Sequence, residues 1–586
     1  MTALNETVIT TRGADISQAI ASGQLITGEP PFGYRSRSYF DHNGRVIQTE
    51  TENRANVSTT AGVGDWIDRT FAYDMLDNLV EATQEIDANT TITSQFSYDP
   101  NELRTELIKP AGNVVKTTYD ERNLIFQVFD GYGSADESMT QYDYDLNGNL
   151  AQSIDAEDND GDDSPEVTMY IRDGFNRRVM VIDALGNQHL SNYDVASNRV
   201  QAQVFGHRAG QPAAGNVQLS NVHYRYDELN RLYQTDAALF LADGFSPLRP
   251  VDLRDGNSDG FVTTQIVHDA LSRPILLVED DQQVMQTVYD GASRPIETID
   301  ALGNRQVMSY DNNDNLVQDV SIELSPEGIV PDETFTNYNV FDQLDRLVRR
   351  TDNAGRTTRI GYDSRDNLTA TSDGVGPLIN SDPLGLFPGA INDAGNTVTR
   401  HYDGRDLMIR EVYDLRVDGQ GDGSLDTSNP FNPDGQITVQ YVYDANSRHM
   451  ALIDDNGNTT QYAYDALDRQ ISQTNADNTQ HIYSYDRDSN QIEIVDPNGN
   501  RITNTFDALN RTVRREIARA PVVGTTEETY QYDGLSRLTT SSDNNGDSSR
   551  THVRIISSIR CRARSKNNKI LNPFHPSGRA MANAPN

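Results

Sequence analysis

Between Asn456 and Asn500 apolar and polar positions alternate with a period of two. Thr460, Tyr462 and Tyr464 fall on one side of an extended chain with Gln461 and Ala463 on the other, and 21 residues later His481, Tyr483 and Tyr485 return to the first side. Stretches this short and this strictly alternating predict half-buried strands rather than helices. Each ends in Tyr-Asp, or in a variant with Phe or His before the aspartate, and runs into D-x-L-x-R or D-x-x-x-N. There the aspartate can accept backbone N–H bonds and close an Asx-type turn. A second connection, D-x-x-G-N, stands at Asp183–Asn187, Asp300–Asn304, Asp454–Asn458 and Asp496–Asn500, where glycine can supply the left-handed residue of a short hairpin loop.

Nineteen such turn aspartates run from Asp41 to Asp533, and Asp444, Asp465, Asp486 and Asp507 are 21 apart. Each unit is thus predicted to be two short strands feeding the next unit. A lone hairpin is marginal in water, so the units are expected to pair edge to edge. The fold class expected is all-β: antiparallel hairpins in one long sheet that curls into a spiral, barrel-like shell. The alternative is a β-propeller, since two units make a blade of ordinary length. Nineteen units would give about nine and a half blades, beyond the common range of about 4 to 8.

Three regions follow: residues 1–38, expected to be irregular; residues 39–549, the repeat with insertions; and residues 551–586, where the repeat stops. That tail carries Arg554, Arg560, Arg562, Arg564, Lys566, Lys569 and Arg579 and no acid. It reads as a frameshifted or truncated end, with a short nucleic-acid-binding arm as the alternative. Of the 49 basic residues, 42 therefore remain to face 87 acidic ones, so the rest of the chain carries a net −45. Such a body repels phosphate backbones and anionic lipid, which argues against nucleic acid as its partner. Only four of the basic residues are lysine: Lys109, Lys116, Lys566 and Lys569. The bias towards arginine suits a repeated place where a guanidinium fork pairs with two acceptors and lies on a tyrosine ring. With Cys561 as the single cysteine there is no disulfide framework. The first thirty residues hold no apolar run of signal-peptide length, and no membrane span is expected.

The copies Tyr226-Asp227-Glu228-Leu229-Asn230-Arg231-Leu232, Tyr464-Asp465-Ala466-Leu467-Asp468-Arg469 and Tyr532-Asp533-Gly534-Leu535-Ser536-Arg537-Leu538 carry a resemblance. Followed by D-x-x-G-N turns and recurring nineteen times, they resemble the Rhs/YD (tyrosine-aspartate) repeat family. The resemblance implies a hollow β-shell, as in bacterial Rhs and wall-associated proteins, toxin-complex C subunits and teneurins. It also implies an exported or cell-surface toxin or adhesin whose shell encapsulates or displays a C-terminal polypeptide, here missing. Cell-surface proteins and carbohydrate are the other partners it implies. In the family chemistry lies after the shell, so this chain is expected to be no enzyme itself; the alternative is the N-terminal part of a toxin whose catalytic domain lies downstream. Asp382-Pro383-Leu384-Gly385 looks like the family's cleavage motif, but repeats follow it, and it reads as a turn.

No catalytic residue is assigned. His207, His223, His268 and His401 recur with no partner at a triad or zinc spacing. The 27 tyrosines suit strand ends with a buried ring and a wet hydroxyl, although they could also form sugar-stacking platforms. Calcium is the cofactor the insertions suggest. Asp255, Asn257 and Asp259 place oxygen ligands at alternate positions with Gly260 at the bend, while Ile266 stands where a bidentate glutamate would complete the loop. Asp418, Asp422 and Asp426 have similar spacing. The same residue types also make ordinary solvated turns. If calcium binds, millimolar calcium will raise the thermal midpoint more than sodium at matched ionic strength, and Asp255→Ala with Asp259→Ala will remove part of the difference. Identical melting in the two salts would leave the solvated turn.

Overall fold

A computed structural model describes residues 7–12, 34–53, 66–156, 165–207, 215–238, 260–325, 331–374, 395–417, 424–428, 430, 432–519 and 524–544. These residues form one sheet of 39 strands, each antiparallel to its neighbours in sequence, from β1 (Thr7–Arg12) to β39 (Leu538–Asp543). None of the described residues is helical. A single continuous sheet excludes the propeller, whose blades are separate sheets. The segment 1–38, expected to be irregular, supplies β1 and the first residues of the next strand, Tyr34–Phe40. The β-branched run Thr7-Val8-Ile9-Thr10-Thr11 favours the pleat and finds a partner edge there.

The two connections predicted from sequence differ in one physical respect. Across Asp454–Asn458 the strands stay in step, with Ile453 opposite Thr459 and Leu452 opposite Thr460. Across Asp465–Arg469, Tyr464 lies opposite Gln470 but Ala463 lies opposite Ser472, leaving Ile471 unpaired. This bulge recurs at all nineteen turn aspartates, including Asp173, where Arg172 stands in the place of the tyrosine. An extra residue bends its strand and increases the local twist. Placed at the same end of every hairpin, it bends the whole ribbon one way.

The bend brings residues more than 300 apart together. The turn after β28 (Gly395–Tyr402) seats on the turn after β5 (Leu79–Asp87), 23 strands earlier. Gly404 N donates to Ile86 O at 2.7 Å, and Gln84 Nε2 donates back to Gly404 O at 2.9 Å. Further along, Asn113 Nδ2 reaches Ala466 O at 2.7 Å, Lys109 Nζ pairs with Asp468 at 2.6 Å, Ala156 N reaches Asp488 at 3.0 Å, and Gly534 N reaches His207 O at 3.0 Å. The Tyr-Asp turns of a second winding thus rest on the opposite hairpin ends of the first. At about 4.8 Å between strands, 23 strands make a perimeter of about 110 Å, a tube about 35 Å across.

The seam is close. A Cβ on Gly404 would overlap the Glu85 carbonyl oxygen, and one on Gly534 would lie 2.6 Å from Gly206 Cα. Gly174 holds the same place after its turn aspartate on the uncovered edge, with nothing within 4 Å of its would-be Cβ. Gly404→Ala should therefore cost about 1–3 kcal/mol in urea unfolding, the range for overpacking a tight contact. Gly174→Ala should change stability by less than about 0.5 kcal/mol, as for surface sites. Equal effects would mean that the seam carries no load.

Candidate functional site

Among the described residues only three apolar side chains are buried, Ile67, Val412 and Ala508, against thirteen polar or charged ones. What repeats instead of a core is a polar ladder along the Tyr-Asp turns, and one rung shows its parts. Asp290 Oδ1 accepts the backbone N–H groups of Ala292 at 2.8 Å and Arg294 at 3.0 Å. Its Oδ2 accepts the Arg294 guanidinium at 2.7–2.8 Å. The far side of that guanidinium, Nη1, donates to the next unit's Asp311 O at 2.9 Å and to Asp314 at 2.8 Å. It lies over the next unit's Tyr310 ring, 4.9 Å from the centroid, and the Tyr310 hydroxyl donates back to Pro295 O at 2.9 Å. Each unit thus grips its successor through one arginine and is gripped through one tyrosine.

The same rung recurs at Arg273, Arg346, Arg448 and Arg469, each 4.8–4.9 Å over the next tyrosine. Across the insertion at 239–259 Arg231 still donates to Asp269 O at 3.2 Å and to the Ser272 hydroxyl at 3.1 Å, with His268 in the place of the tyrosine, so an insertion leaves the arginine link intact. Where asparagine replaces arginine the reach shortens but the link holds: Asn315 Nδ2 donates to its own Asp311 and to Asp345 of the next turn. Where the arginine stands two residues after the aspartate instead of four, as in Arg122 and Arg405, it still makes both contacts. The third residue after the aspartate is left-handed, with φ of 58° to 69° at Asn230, Ser272, Ser293 and Asp314. Sequence reasoning assigned that conformation only to the glycine of D-x-x-G-N. Here Asn, Asp and Ser adopt it; the Asp and Ser side chains accept the neighbouring arginine, and Asn230 accepts the Asn198 amide.

A family profile described as teneurin YD-shell matches residues 213–515, more than half of the chain. The chain belongs to that family. Among solved structures, the crystal structure of TcdB2-TccC3-TEV is 13% identical over 87% of this chain and 31% of that one, with a TM-score of 0.32. The Photorhabdus luminescens Tc holotoxin pore is 12% identical over 91% of this chain and 30% of that one, with a TM-score of 0.36. The chain spans about a third of the length of these structures. Such scores do not establish a common shape, so membership rests on the sequence match. No curated protein matches the chain.

Of the residues singled out in this YD shell, Asp255, Asn257, Asp259, Asp418 and Asp422 lie outside the described residues, as do 551–586 and Asp382–Leu386. Asp426 is described. Its Oδ1 accepts the Ser428 N–H at 3.0 Å and the Ser428 hydroxyl at 2.5 Å, which makes it a local turn cap. Among the described residues no three His, Cys, Asp or Glu side chains are grouped to hold a metal ion, and no helix is long and apolar enough to cross a membrane. His207 follows one strand, while His223, His268 and His401 stand on three others. The tyrosines of the motif serve the ladder, which is the packing role their spacing suggested.

The ladder has an electrostatic signature. The Arg231 guanidinium bond, with the backbone N–H groups of Arg231 and Leu229, holds Asp227 down to about 2. Asp173 is lowered by Arg177 in the same way, and Asp269 and Asp290 by the N–H and then the guanidinium of Arg273 and Arg294. A carboxyl depressed on folding contributes stability that is complete above its unfolded pKa, about 3.9, and lost as pH falls through the folded value. Asp68 makes the opposite contribution: burial, then Glu50 and Glu85, raise it. With so many depressed turns, the thermal midpoint should stay nearly level from neutral pH to about 4 and fall steeply towards about 2. Loss of structure already between neutral pH and about 5 would show that the turn carboxylates do not govern acid stability.

Proposed function

We propose that this chain is the wall of a container: part of the YD shell of an exported or cell-surface toxin or adhesin, which encloses or displays a C-terminal polypeptide. One observation carries the reading, the seating of a second winding on the first so that a single sheet surrounds a hollow. Subtracting about 10 Å for side chains lining a tube about 35 Å across leaves a lumen of about 25 Å. A helix about 10–12 Å wide or an extended chain passes through such a space. A folded domain of 100 residues, with a radius of gyration of about 13 Å and hence a diameter above about 30 Å, does not. Cargo inside this segment is therefore held unfolded or as isolated elements.

In this reading the wall performs no chemistry. The ladder makes it stiff, no second layer packs on the sheet among the described residues, and insertions such as 239–259 can lengthen connections without breaking the arginine link. Negative-stain images of the full chain should show a compact, hollow or curved body; a flexible string would end the proposal. The enclosing role has its own test. A protease-sensitive polypeptide fused to the C-terminus should be cleaved at least about tenfold more slowly than when free, a difference of about 1.4 kcal/mol, and Gly404→Val should abolish the protection by opening the seam. Equal cleavage rates would leave display, not enclosure, as the role.

A further inference from the structure

Connections of the D-x-x-G-N kind share one main-chain geometry, in which the first residue donates its N–H to the fifth carbonyl and receives the fourth N–H in return. Among the described ones, only Lys109-Pro110-Ala111-Gly112-Asn113 begins with a cation. Elsewhere an aspartate in that place caps its own turn: Asp454 accepts the Asn456 N–H at 3.0 Å and the Asn458 side-chain amide at 2.9 Å. An ammonium group accepts nothing. In the Lys109 turn the same two donors are satisfied from the second winding, Ala111 N by Asn446 Oδ1 at 2.8 Å and the Asn113 side-chain amide by Ala466 O at 2.7 Å. Lys109 Nζ itself donates to Asp468 Oδ2 at 2.6 Å. Asn446 Nδ2 closes the group by donating to Asn113 Oδ1 and to Asp468 Oδ1, both at 3.0 Å. Burial pushes the Asp468 carboxyl up, but the Lys109 and Asn446 bonds and the charge of Arg448 outweigh it and hold it below the ordinary range. On the far side of the same turn Leu467 presses on the next connection, where a Cβ at Gly131 would lie 2.5 Å from its Cδ1.

One connection of the first winding is thus completed by two consecutive turns of the second, and the two turns supply different residues. A slide by one unit changes both. Moved one way, the places of Asn446 and Asp468 are taken by Leu467 and Ser489; moved the other way, by Arg405 and Ser447. Neither leucine nor arginine can accept the Ala111 N–H, and serine offers Lys109 no charge. The wrong register therefore leaves polar groups unmatched at the seam, which penalises it as well as failing to reward it. Granting the two stacked windings of the proposed wall, and whatever they enclose, we propose that Lys109, Asn446 and Asp468 are the registration key of the spiral: they fix which turn of the second winding seats on which connection of the first. The key then sets the bore. A slide of one unit would add or remove two strands per turn, about 10 Å of perimeter and hence about 3 Å of diameter.

Two measurements on the full chain without cargo test this, so their outcome is separate from that of the protection assay. A water-soluble carbodiimide joins a lysine amine to a carboxylate it already touches, and the chain has only four lysines. Lys109 with Asp468 should be the main product joining the two windings, although 359 positions separate them; coupling of Lys109 chiefly to another acid would overturn the key. Hydrogen exchange at the flanking seam amides then shows whether the key holds the register, since Gly404 N–H is bonded to Ile86 O and Ala156 N–H to Asp488. Lys109→Asp gives the turn the cap its counterparts have but sets a carboxylate against Asp468. It should speed exchange at Gly404 and Ala156 at least about tenfold, while Gly112, bonded within the turn, stays within about twofold. Lys109→Arg keeps the charge and should leave all three amides as they are. The proposal falls if Gly404 and Ala156 stay protected in Lys109→Asp, or if Lys109→Arg exchanges as fast as Lys109→Asp. Loss of protection at Gly112 together with the seam amides would also overturn it, by assigning the lysine to its own turn.

Discussion

The carboxylate of the turn aspartate is the constraint on which the rest of the structure depends. One oxygen closes its own turn by taking two backbone N–H groups, and the other holds the arginine that reaches the next turn. A local turn and a link between units are thus made by the same side chain. Glutamate is one methylene longer and could not keep both distances. Asparagine would lose the charge that makes the guanidinium bond short and strong.

This explains how a sheet with almost no buried apolar side chains can stand. Its stability is close to a sum over neighbouring units: ladder hydrogen bonds between strands, an arginine over a tyrosine at each step, and a tyrosine hydroxyl returning to the unit before. No single rung carries the fold, so exceptions such as Asn315 or the displaced Arg405 are absorbed locally. The cost of this design is the large number of left-handed residues, which the short polar side chains of Asn, Asp and Ser tolerate.

Curvature enters through the bulge beside each Tyr-Asp turn, and curvature is what makes a wall of the ribbon. A straight ladder of the same rungs would be an open sheet with two long edges. Bent at one end of every hairpin, it returns on itself after 23 strands and buries one edge against the other. The seam then constrains positions that the ladder leaves free: a Cβ at Gly404 or Gly534 would overlap the turn it rests against, whereas at Gly174 and Gly291, which hold the same place on the uncovered edge, it would meet nothing within 4 Å.

What the sequence determined by itself is everything with a short range: the strands from Tyr462 and Tyr464, the two kinds of turn, the all-β sheet, and the service of arginine beside tyrosine. These depend on residues within one or two units, where spacing and chemistry are visible together. The partners across the seam were decided only by the tertiary structure. Gly404 and Ile86 are brought together by the accumulated bend of 23 strands, and no local pattern at either place names the other. The bulge that sets this bend is likewise silent in the sequence, because Ile471 differs from its neighbours in register and not in chemistry. Small residues directly after the aspartate stand on both the seated and the uncovered edge, as Gly404 and Gly174 do, and so do not mark the seam by themselves. Their meaning required the winding, since a small side chain is informative only once something is known to lie against it.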